Sequence, residues 1–210
     1  MKTIVTNGIY YLEPIKGSDG WYWGCDDYSG DLYEAEACVR DGHPLHPNRL
    51  IFVDQNGQCF EPVKANEGQY LGQPPIYEDQ KIIFLLADFF ANRIHIFSFH
   101  TVTYQVSVMV ELPLSLAKDC YNLRLETPLM LIRQSSDNVF EILWPESISF
   151  PIENTETFCF RQGNELYFTV WYEEEDYREE VVVRGLQGNV RKRMDGTIHI
   201  LPNGKKWHFI

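Results

Sequence analysis

Six short polar turns, each set between two apolar runs, recur along this chain of 210 residues. An apolar run, a turn and a second alternating run are typical of a β-hairpin, because alternation sends every second side chain to the buried face of a sheet. The turns are Tyr28-Ser29-Gly30, Gln55-Asn56-Gly57, Ala91-Asn92, Ser136-Asp137-Asn138, Gln162-Gly163-Asn164 and Asp195-Gly196. The pattern predicts an all-β fold built mostly of antiparallel hairpins.

The hairpins recur at roughly regular intervals, which indicates how the sheets are arranged. Their first strands start near Trp21, Leu50, Ile82, Leu129, Phe158 and Val190. An approximate period of this kind is typical of radial repetition. We therefore expect an irregular β-propeller-like architecture, with a sandwich or barrel as the alternative, since these arrangements protect strand edges. No linker rich in Gly, Ser or Pro interrupts the chain, so residues 1–210 are expected to form a single β-rich domain.

One segment favours a helix, although a strand remains open there. Asp31 is suited to cap a helix over residues 32–40, and Glu34, three residues later, completes a capping box. The alternation from Tyr33 to Val39 also fits a strand with one apolar face. A further helical turn is expected within Leu114–Asn122. The chain is thus expected to contain one or two short helices.

Two strand predictions concern burial. The run Lys81–Leu86 is almost continuously apolar, which predicts a strand covered on both faces. The last two strands are expected at Thr197–Leu201 and Lys206–Ile210. Trp207 and Phe209 would then anchor the final strand, because large rings usually bury most of their surface.

The protein is acidic, with a net charge of −12. Phosphate binding requires clustered Lys and Arg, so nucleic acid is not expected as a partner, and an anionic membrane surface is disfavoured for the same reason. Residues 187–210 are the exception, since five basic side chains and one acidic side chain give them +4. We interpret them as a solvated hairpin beside an acidic surface of the same molecule, or alternatively as a contact patch for an acidic partner.

The cysteines indicate a reducing compartment. The chain has five, at Cys25, Cys38, Cys59, Cys120 and Cys159, and no Cys-x-x-Cys pair. Free cysteines among apolar neighbours commonly pack as small hydrophobic groups. No apolar run approaches the ~20 residues of a membrane span, and the first residues lack a secretory pattern. We expect a soluble, cytoplasmic protein.

An aromatic and acidic segment near the N-terminus is the candidate binding site. Its ligand-binding residues are predicted to be Trp21, Tyr22, Trp23, Asp26, Asp27 and Asp31. Aromatic faces stack on sugar rings, and carboxylates accept hydrogen bonds from hydroxyl groups. With Glu34, two of these acids could also act as acid and base, or as nucleophile, on a glycosidic bond. The competing interpretation is that the rings belong to the core and the acids cap local structure.

Other chemical motifs are weak. His43 and His46 could share a metal, but prolines make their loop stiff and exposed and no third ligand is evident, so no metal is predicted. The acidic residues 173–176 and 179–180 are interpreted as a solvated turn, with Arg191–Arg193 as their nearest basic partner. Phosphate loops, nucleophile elbows and dinucleotide fingerprints are missing, and no cofactor is predicted.

These observations favour a non-catalytic binding or interaction module over an enzyme. The expected partner is a small polar ligand or another protein, contacted through loops 17–31 and 64–80, because binding residues concentrate on loops held by a rigid scaffold. The alternative is a carbohydrate-active hydrolase that uses paired carboxylates. The sequence leaves the oligomeric state open.

Overall fold

Four antiparallel β-sheets, arranged like the blades of a four-bladed β-propeller, form the body of the protein. The computed structural model describes residues 2–26, 30–173 and 177–210. Half of the chain is strand and 6% is helical. The all-β prediction is therefore confirmed, and the propeller-like arrangement is the one observed.

The strands follow one another within each sheet in the order of the chain. The first sheet contains β1 (Glu13–Pro14), β2 (Tyr22–Asp26), β3 (Arg49–Val53) and β4 (Cys59–Phe60). The second contains β5 (Gln69–Leu71), β6 (Ile76–Glu78), β7 (Lys81–Asp88), β8 (Arg93–His100) and β9 (Val106–Pro113). Both β5 and β6 pair with β7, so the first strand of this sheet is broken into two pieces.

The other two sheets have four strands each, and a separate hairpin follows them. The third contains β10 (Arg124–Glu126), β11 (Met130–Gln134), β12 (Val139–Trp144) and β13 (Ile148–Pro151). The fourth contains β14 (Glu156–Gln162), β15 (Glu165–Glu173), β16 (Tyr177–Gly185) and β17 (Val190–Asp195). The hairpin consists of β18 (Thr197–Ile200) and β19 (Lys206–Phe209).

Four of the six predicted turns join paired strands. They connect β3 to β4, β7 to β8, β11 to β12 and β14 to β15. The turn at Asp195-Gly196 is a wrong hairpin prediction, because β17 pairs with β16 whereas β18 pairs with β19. There the chain leaves the fourth sheet. Position 196 requires glycine, because a Cβ atom there would lie 1.8 Å from the Phe209 carbonyl oxygen. In the first predicted turn, Tyr28 and Ser29 lie outside the described residues.

The helix prediction is confirmed, and the strand alternative for the same residues is wrong. Helix α1 spans Leu32–Arg40. The backbone N–H of Glu34 donates to the Asp31 carboxylate, and the N–H of Asp31 donates to the Glu34 carboxylate, both at 2.9 Å. These two bonds satisfy amide groups that a helix start leaves unpaired. A single 3-10 turn at Leu114–Leu116 matches the second expectation.

Strand β7 explains how neighbouring sheets share a core. Ile82 and Phe84 pack with residues of the first sheet, whereas Ile83 and Leu85 pack with residues of the third sheet and with α1. The strand is therefore covered on both faces, as its continuous apolar run predicts. A third cluster, rich in phenylalanine, joins the third and fourth sheets; Phe140 and Phe168 meet edge to face at 5.1 Å.

The C-terminal hairpin connects the fourth sheet to the first. Strand β18 contacts β16, and the Gly17 N–H donates to the Pro202 carbonyl oxygen at 2.8 Å. The prediction that the rings of β19 anchor this end is wrong, since Trp207 is 53% exposed and Phe209 46% exposed. No residue from 197 to 210 is fully buried, so the hairpin has no core of its own.

The basic residues of β17 do meet acidic neighbours, as the charge pattern suggests. Arg193 donates to the Glu180 carboxylate at 3.0 Å and also to the Glu153 carboxylate. Residues 174–176 of the acidic run lie outside the described residues. Arg193 thus links β17 to an acid of β16 and to Glu153 in the segment before β14. Arg191 also pairs with Glu165 of β15, at 3.5 Å, and both contacts support the intramolecular interpretation.

Candidate functional site

The first strands of the four sheets converge on one pocket with a volume of about 360 Å³. Residues of β1, β6, β10 and β14 line it, and the C-terminal hairpin contributes Ile200, Gly204 and Lys206. A cavity of this size matches the lower range of sites for small ligands, which is roughly 300–1,000 Å³. We call it the central pocket.

Prolines lie beside the first strands of three sheets where these strands reach the central pocket. Pro74 and Pro75 separate β5 from β6, and because proline has no N–H to donate to a neighbouring strand, the pairing with β7 is broken there. Pro14 remains paired with Tyr22 at the end of β1, and Pro128 lies in the turn between β10 and β11. The break at Pro74 and Pro75 places non-paired chain along the wall of the pocket.

The fourth sheet opens by a β-bulge instead. Phe158 pairs with Phe168 and Phe160 pairs with Tyr167, which leaves Cys159 as one extra residue on β14. A bulge bends its strand and redirects the following side chains. Cys159, Phe160 and Arg161 all line the central pocket.

The apolar part of the wall includes three aromatic rings, those of Trp23, Tyr77 and Phe160. The ring of Phe160 stacks on Tyr167 with centroids 4.4 Å apart and planes 12° apart. Trp23 is only 9% exposed and packs in the core between the first and second sheets. Rings packed in this way give the wall a rigid apolar lining.

Two of the charged groups in the pocket are held by partners outside it. Arg161 donates to the Glu146 carboxylate, with one of its bonds 3.0 Å long, and to the Gly163 carbonyl at 2.8 Å. The hydrogen bond from Arg161 holds the pKa of Glu146 below its ordinary value. Glu126 accepts from Arg124 at 2.8 Å. These pairs position both side chains and leave them less available to a ligand.

Three other charged side chains, Glu13, Lys16 and Lys206, line the pocket on exposed chain. The ammonium group of Lys206 lies 4.6 Å from the centroid of the Phe160 ring. Within residues 2–26, 30–173 and 177–210, no ion pair within 4.0 Å involves any of the three. They are therefore the charges with which a ligand can interact directly.

Cys159 brings a thiol to the pocket wall. Its Sγ atom lies 3.6 Å from the Thr169 hydroxyl and 3.6 Å from the Thr157 carbonyl oxygen. Burial raises the pKa of this thiol, because removal from water disfavours the thiolate. At neutral pH Cys159 is thus a protonated packing group and a poor nucleophile.

The predicted aromatic residues fall in different environments. Trp21 is buried, with its ring 5.7 Å from Phe60 and 5.7 Å from Phe99. Tyr22 is 40% exposed, because it points to the opposite side of β2. Of the residues predicted to form the site, Trp23 is the one that lines the central pocket within the described part of the chain.

The predicted acids are engaged in local structure. Asp26 accepts from the backbone N–H of Arg49 and forms an ion pair with its guanidinium at 3.6 Å. Burial raises the pKa of Asp26, and the contacts with Arg49 oppose that shift. Asp31 and Glu34 form the capping box of α1. Asp27 lies outside the described residues.

Sequence reasoning missed most of the pocket, although one signal was present. Segments 17–31 and 64–80 were both expected to contribute to binding, and the structure places Gly17, Trp23 and residues 74–77 of these segments in one wall. The residues from β10, β14 and the C-terminal hairpin were not anticipated. Prolines beside the first strands could have indicated β10, through Pro128, but β14 contains no proline and no such signal marks it.

Neither a metal-binding cluster nor a membrane-spanning helix is found among the described residues. Their His, Cys, Asp and Glu side chains form no group of three or more suited to a metal ion; His43 and His46 are exposed. None of their helices has the length and apolar character to cross a membrane. No protein-family model matches the chain, and no curated protein matches it significantly.

Proposed function

We propose that this is a non-catalytic binding protein that holds a small polar or amphiphilic ligand in the central pocket. The observation that carries the proposal is the convergence of four sheets and the C-terminal hairpin on one cavity of about 360 Å³. Ligand sites in proteins are concave, mostly apolar and supplied with a few polar groups, and this wall has that composition.

Binding is favoured over glycoside hydrolysis by the state of the predicted acids. Asp26 is paired with Arg49, and Asp31 and Glu34 satisfy the start of α1. A hydrolase needs two carboxyl groups that converge on a bond with space for the sugar between them. Carboxylates already used as caps and ion-pair partners support a structural role for this segment.

A cytoplasmic location is part of the proposal. All five cysteines are free thiols, and free thiols persist in reducing compartments.

The test combines a thermal-shift screen of small molecules with modification of cysteines by a small thiosulfonate reagent, which forms a mixed disulfide with the thiol and releases a sulfinate. A ligand in the central pocket is expected to raise the melting temperature and to slow modification of Cys159, as followed by mass spectrometry of peptides. Cys38 on α1 is half-buried and does not line the pocket, so it serves as the internal control. Stabilising ligands that leave Cys159 equally reactive would place binding elsewhere. Turnover of chromogenic glycosides by the wild-type protein would contradict a non-catalytic role.

A further inference from the structure

We infer that the central pocket selects a small organic anion, with a flat apolar body against its rings and an anionic group beside Lys16 and Lys206. The inference rests on the proposed function and adds the chemical class of the ligand. It is carried by the distribution of free charge around the pocket.

The net charge of the pocket wall is positive, whereas the net charge of the whole chain is negative. Arg161 and Glu126 are paired with Glu146 and Arg124. The remaining lining charges are those of Lys16, Lys206 and Glu13, which give the wall a net charge of +1 (two minus one). The chain as a whole has −12. A local excess of positive charge in an acidic protein attracts anions to that location, and low-dielectric walls focus the field.

Lys206 is positioned for this role by the fold. Its ammonium group rests over Phe160, which lies in the bulged part of β14, and its backbone belongs to β19. The ring attracts the cation from one side. The ammonium N–H groups that do not face the ring remain free to donate to an anionic group of a ligand.

Lys16 reaches the same pocket from the first sheet. It precedes Gly17, whose N–H donates to Pro202 at the tip of the C-terminal hairpin. A Cβ atom on Gly204 would lie only 3.3 Å from the Gly17 Cα atom, so the two chains approach closely at this point. This contact keeps the segments that bear Lys16 and Lys206 at one pocket.

The apolar part of the wall defines the rest of the ligand. The rings of Trp23 and Tyr77, with the prolines of the wall, form a surface suited to a planar body. The Phe160 ring already contacts Tyr167 and the Lys206 ammonium group, so its part is to hold Lys206 at the pocket. A carboxylate or sulfonate on such a body gains charge-assisted hydrogen bonds from lysine. A neutral body of the same shape would bind by apolar contact alone.

The experiment uses two fluorescent probes with the same ring system. One is 1-anilinonaphthalene-8-sulfonate, an anion, and the other is N-phenyl-1-naphthylamine, which lacks the sulfonate. Affinity for each is measured by fluorescence titration of the full chain, and slowed modification of Cys159 by the thiosulfonate reagent locates the probe in the pocket. The sulfonate is expected to bind more tightly, with a preference that shrinks as salt is added.

The variants separate charge from packing. Lys206→Gln and Lys16→Gln are each expected to weaken binding of the anionic probe by about tenfold, as for a lost hydrogen bond to a charged group. The affinity for the neutral probe should change by less than about twofold, because that probe has no anionic group to accept such a bond. Lys206→Arg retains the charge over Phe160 and should retain the preference. Lys205→Gln is the matched control, because Lys205 is the adjacent residue but does not line the pocket.

Each outcome bears on a distinct statement. If both probes protect Cys159 but the lysine variants change their affinities equally, selection of an anion is wrong while a ligand pocket stands. If neither probe binds or protects Cys159, both the anion inference and the proposed pocket are contradicted. Loss of the preference in Lys205→Gln as well would attribute it to overall charge and overturn the assignment to Lys206.

Discussion

Arg184 and Glu156 form a two-point ion pair inside the fourth sheet. The Nε atom of Arg184 lies 2.6 Å from Oε1 of Glu156, and its Nη2 atom lies 2.7 Å from Oε2. Arg184 is 8% exposed and Glu156 is 1% exposed, and Arg184 also donates to the Gly188 carbonyl at 2.7 Å. The pair thus joins the start of β14 to the end of β16. Strand β14 continues from Glu156 to the bulge at the pocket.

Removing one partner of this pair should destabilise the protein strongly. Arg184→Met is expected to lower the free energy of unfolding by about 3–5 kcal/mol, because it leaves the Glu156 carboxylate buried without its counter-charge. Urea denaturation followed by circular dichroism measures the change. The double variant Arg184→Met/Glu156→Met should recover much of the loss. The exposed pair Lys118–Asp137, with nitrogen and oxygen 3.0 Å apart, gives the control: Lys118→Ala should change stability by less than about 1 kcal/mol.

The side chain of Asn48 forms hydrogen bonds with both backbone polar groups of Leu71, as a neighbouring strand would. Its side-chain amide donates to the Leu71 carbonyl at 2.8 Å, and its side-chain oxygen accepts from the Leu71 N–H at 2.7 Å. Asn48 is 1% exposed, so Asn48→Ala leaves two buried backbone groups unpaired and should lower stability by about 1–3 kcal/mol. Thermal and urea unfolding test this, with the exposed Asn154→Ala as control. An unchanged stability would mean that water replaces both bonds.

The capping box gives a prediction that separates structure from function. Asp31→Ala should lower the free energy of unfolding by about 1 kcal/mol, because the amide of Glu34 loses its acceptor. Asp41 lies at the other end of α1, where a negative charge is unfavourable, so Asp41→Ala should be neutral or slightly stabilising. The same two variants are expected to bind the pocket probes like the wild type. A loss of binding in Asp31→Ala alone would restore the N-terminal acids as site residues.

The pair between Arg161 and Glu146 predicts a dependence on pH. The hydrogen bond from Arg161 lowers the pKa of Glu146 in the folded protein below its ordinary value of 4.5. The Glu146 carboxylate therefore stabilises the fold fully above its unfolded-state pKa, and this stabilisation is lost as the pH falls through its folded-state pKa. The Glu146 side chain is 40% exposed, so at neutral pH Glu146→Gln should lower stability by at most about 1 kcal/mol, after screening by solvent. Urea denaturation at neutral and acidic pH should show the two proteins converging in acid. A difference that grows in acid would have the wrong sign and contradict this assignment.

The elements that the sequence predicted correctly share a local cause. Asn56-Gly57 joins β3 to β4 because Gly57, with φ of +72°, adopts a backbone conformation that other residues avoid. Helix α1 starts at Leu32 because Asp31 and Glu34 satisfy each other's amides three residues apart. In both cases the interacting atoms are close along the chain, so the residue types alone predict the turn and favour the helix.

The burial of single rings was harder to predict. Trp23 and Trp207 are both tryptophans on strands, yet Trp23 is 9% exposed and Trp207 is 53% exposed. The difference arises because β2 packs against the second sheet, whereas β19 pairs with β18 in a two-stranded hairpin. Alternation predicts which side chains share a face, but it does not say whether another sheet covers that face.

By itself the sequence determined the all-β class, the strand covered on both faces and four of the connecting turns, because periodicity and turn chemistry act between neighbours in the chain. It favoured the helix over residues 32–40 but left a strand open there. The tertiary structure decided which strand from each sheet meets the others, and so it alone brought Lys16, Phe160 and Lys206 to one pocket. These residues are far apart in sequence. Their proximity depends on the circular arrangement of the sheets and on the contact between Gly17 and Pro202, and no local pattern encodes either one.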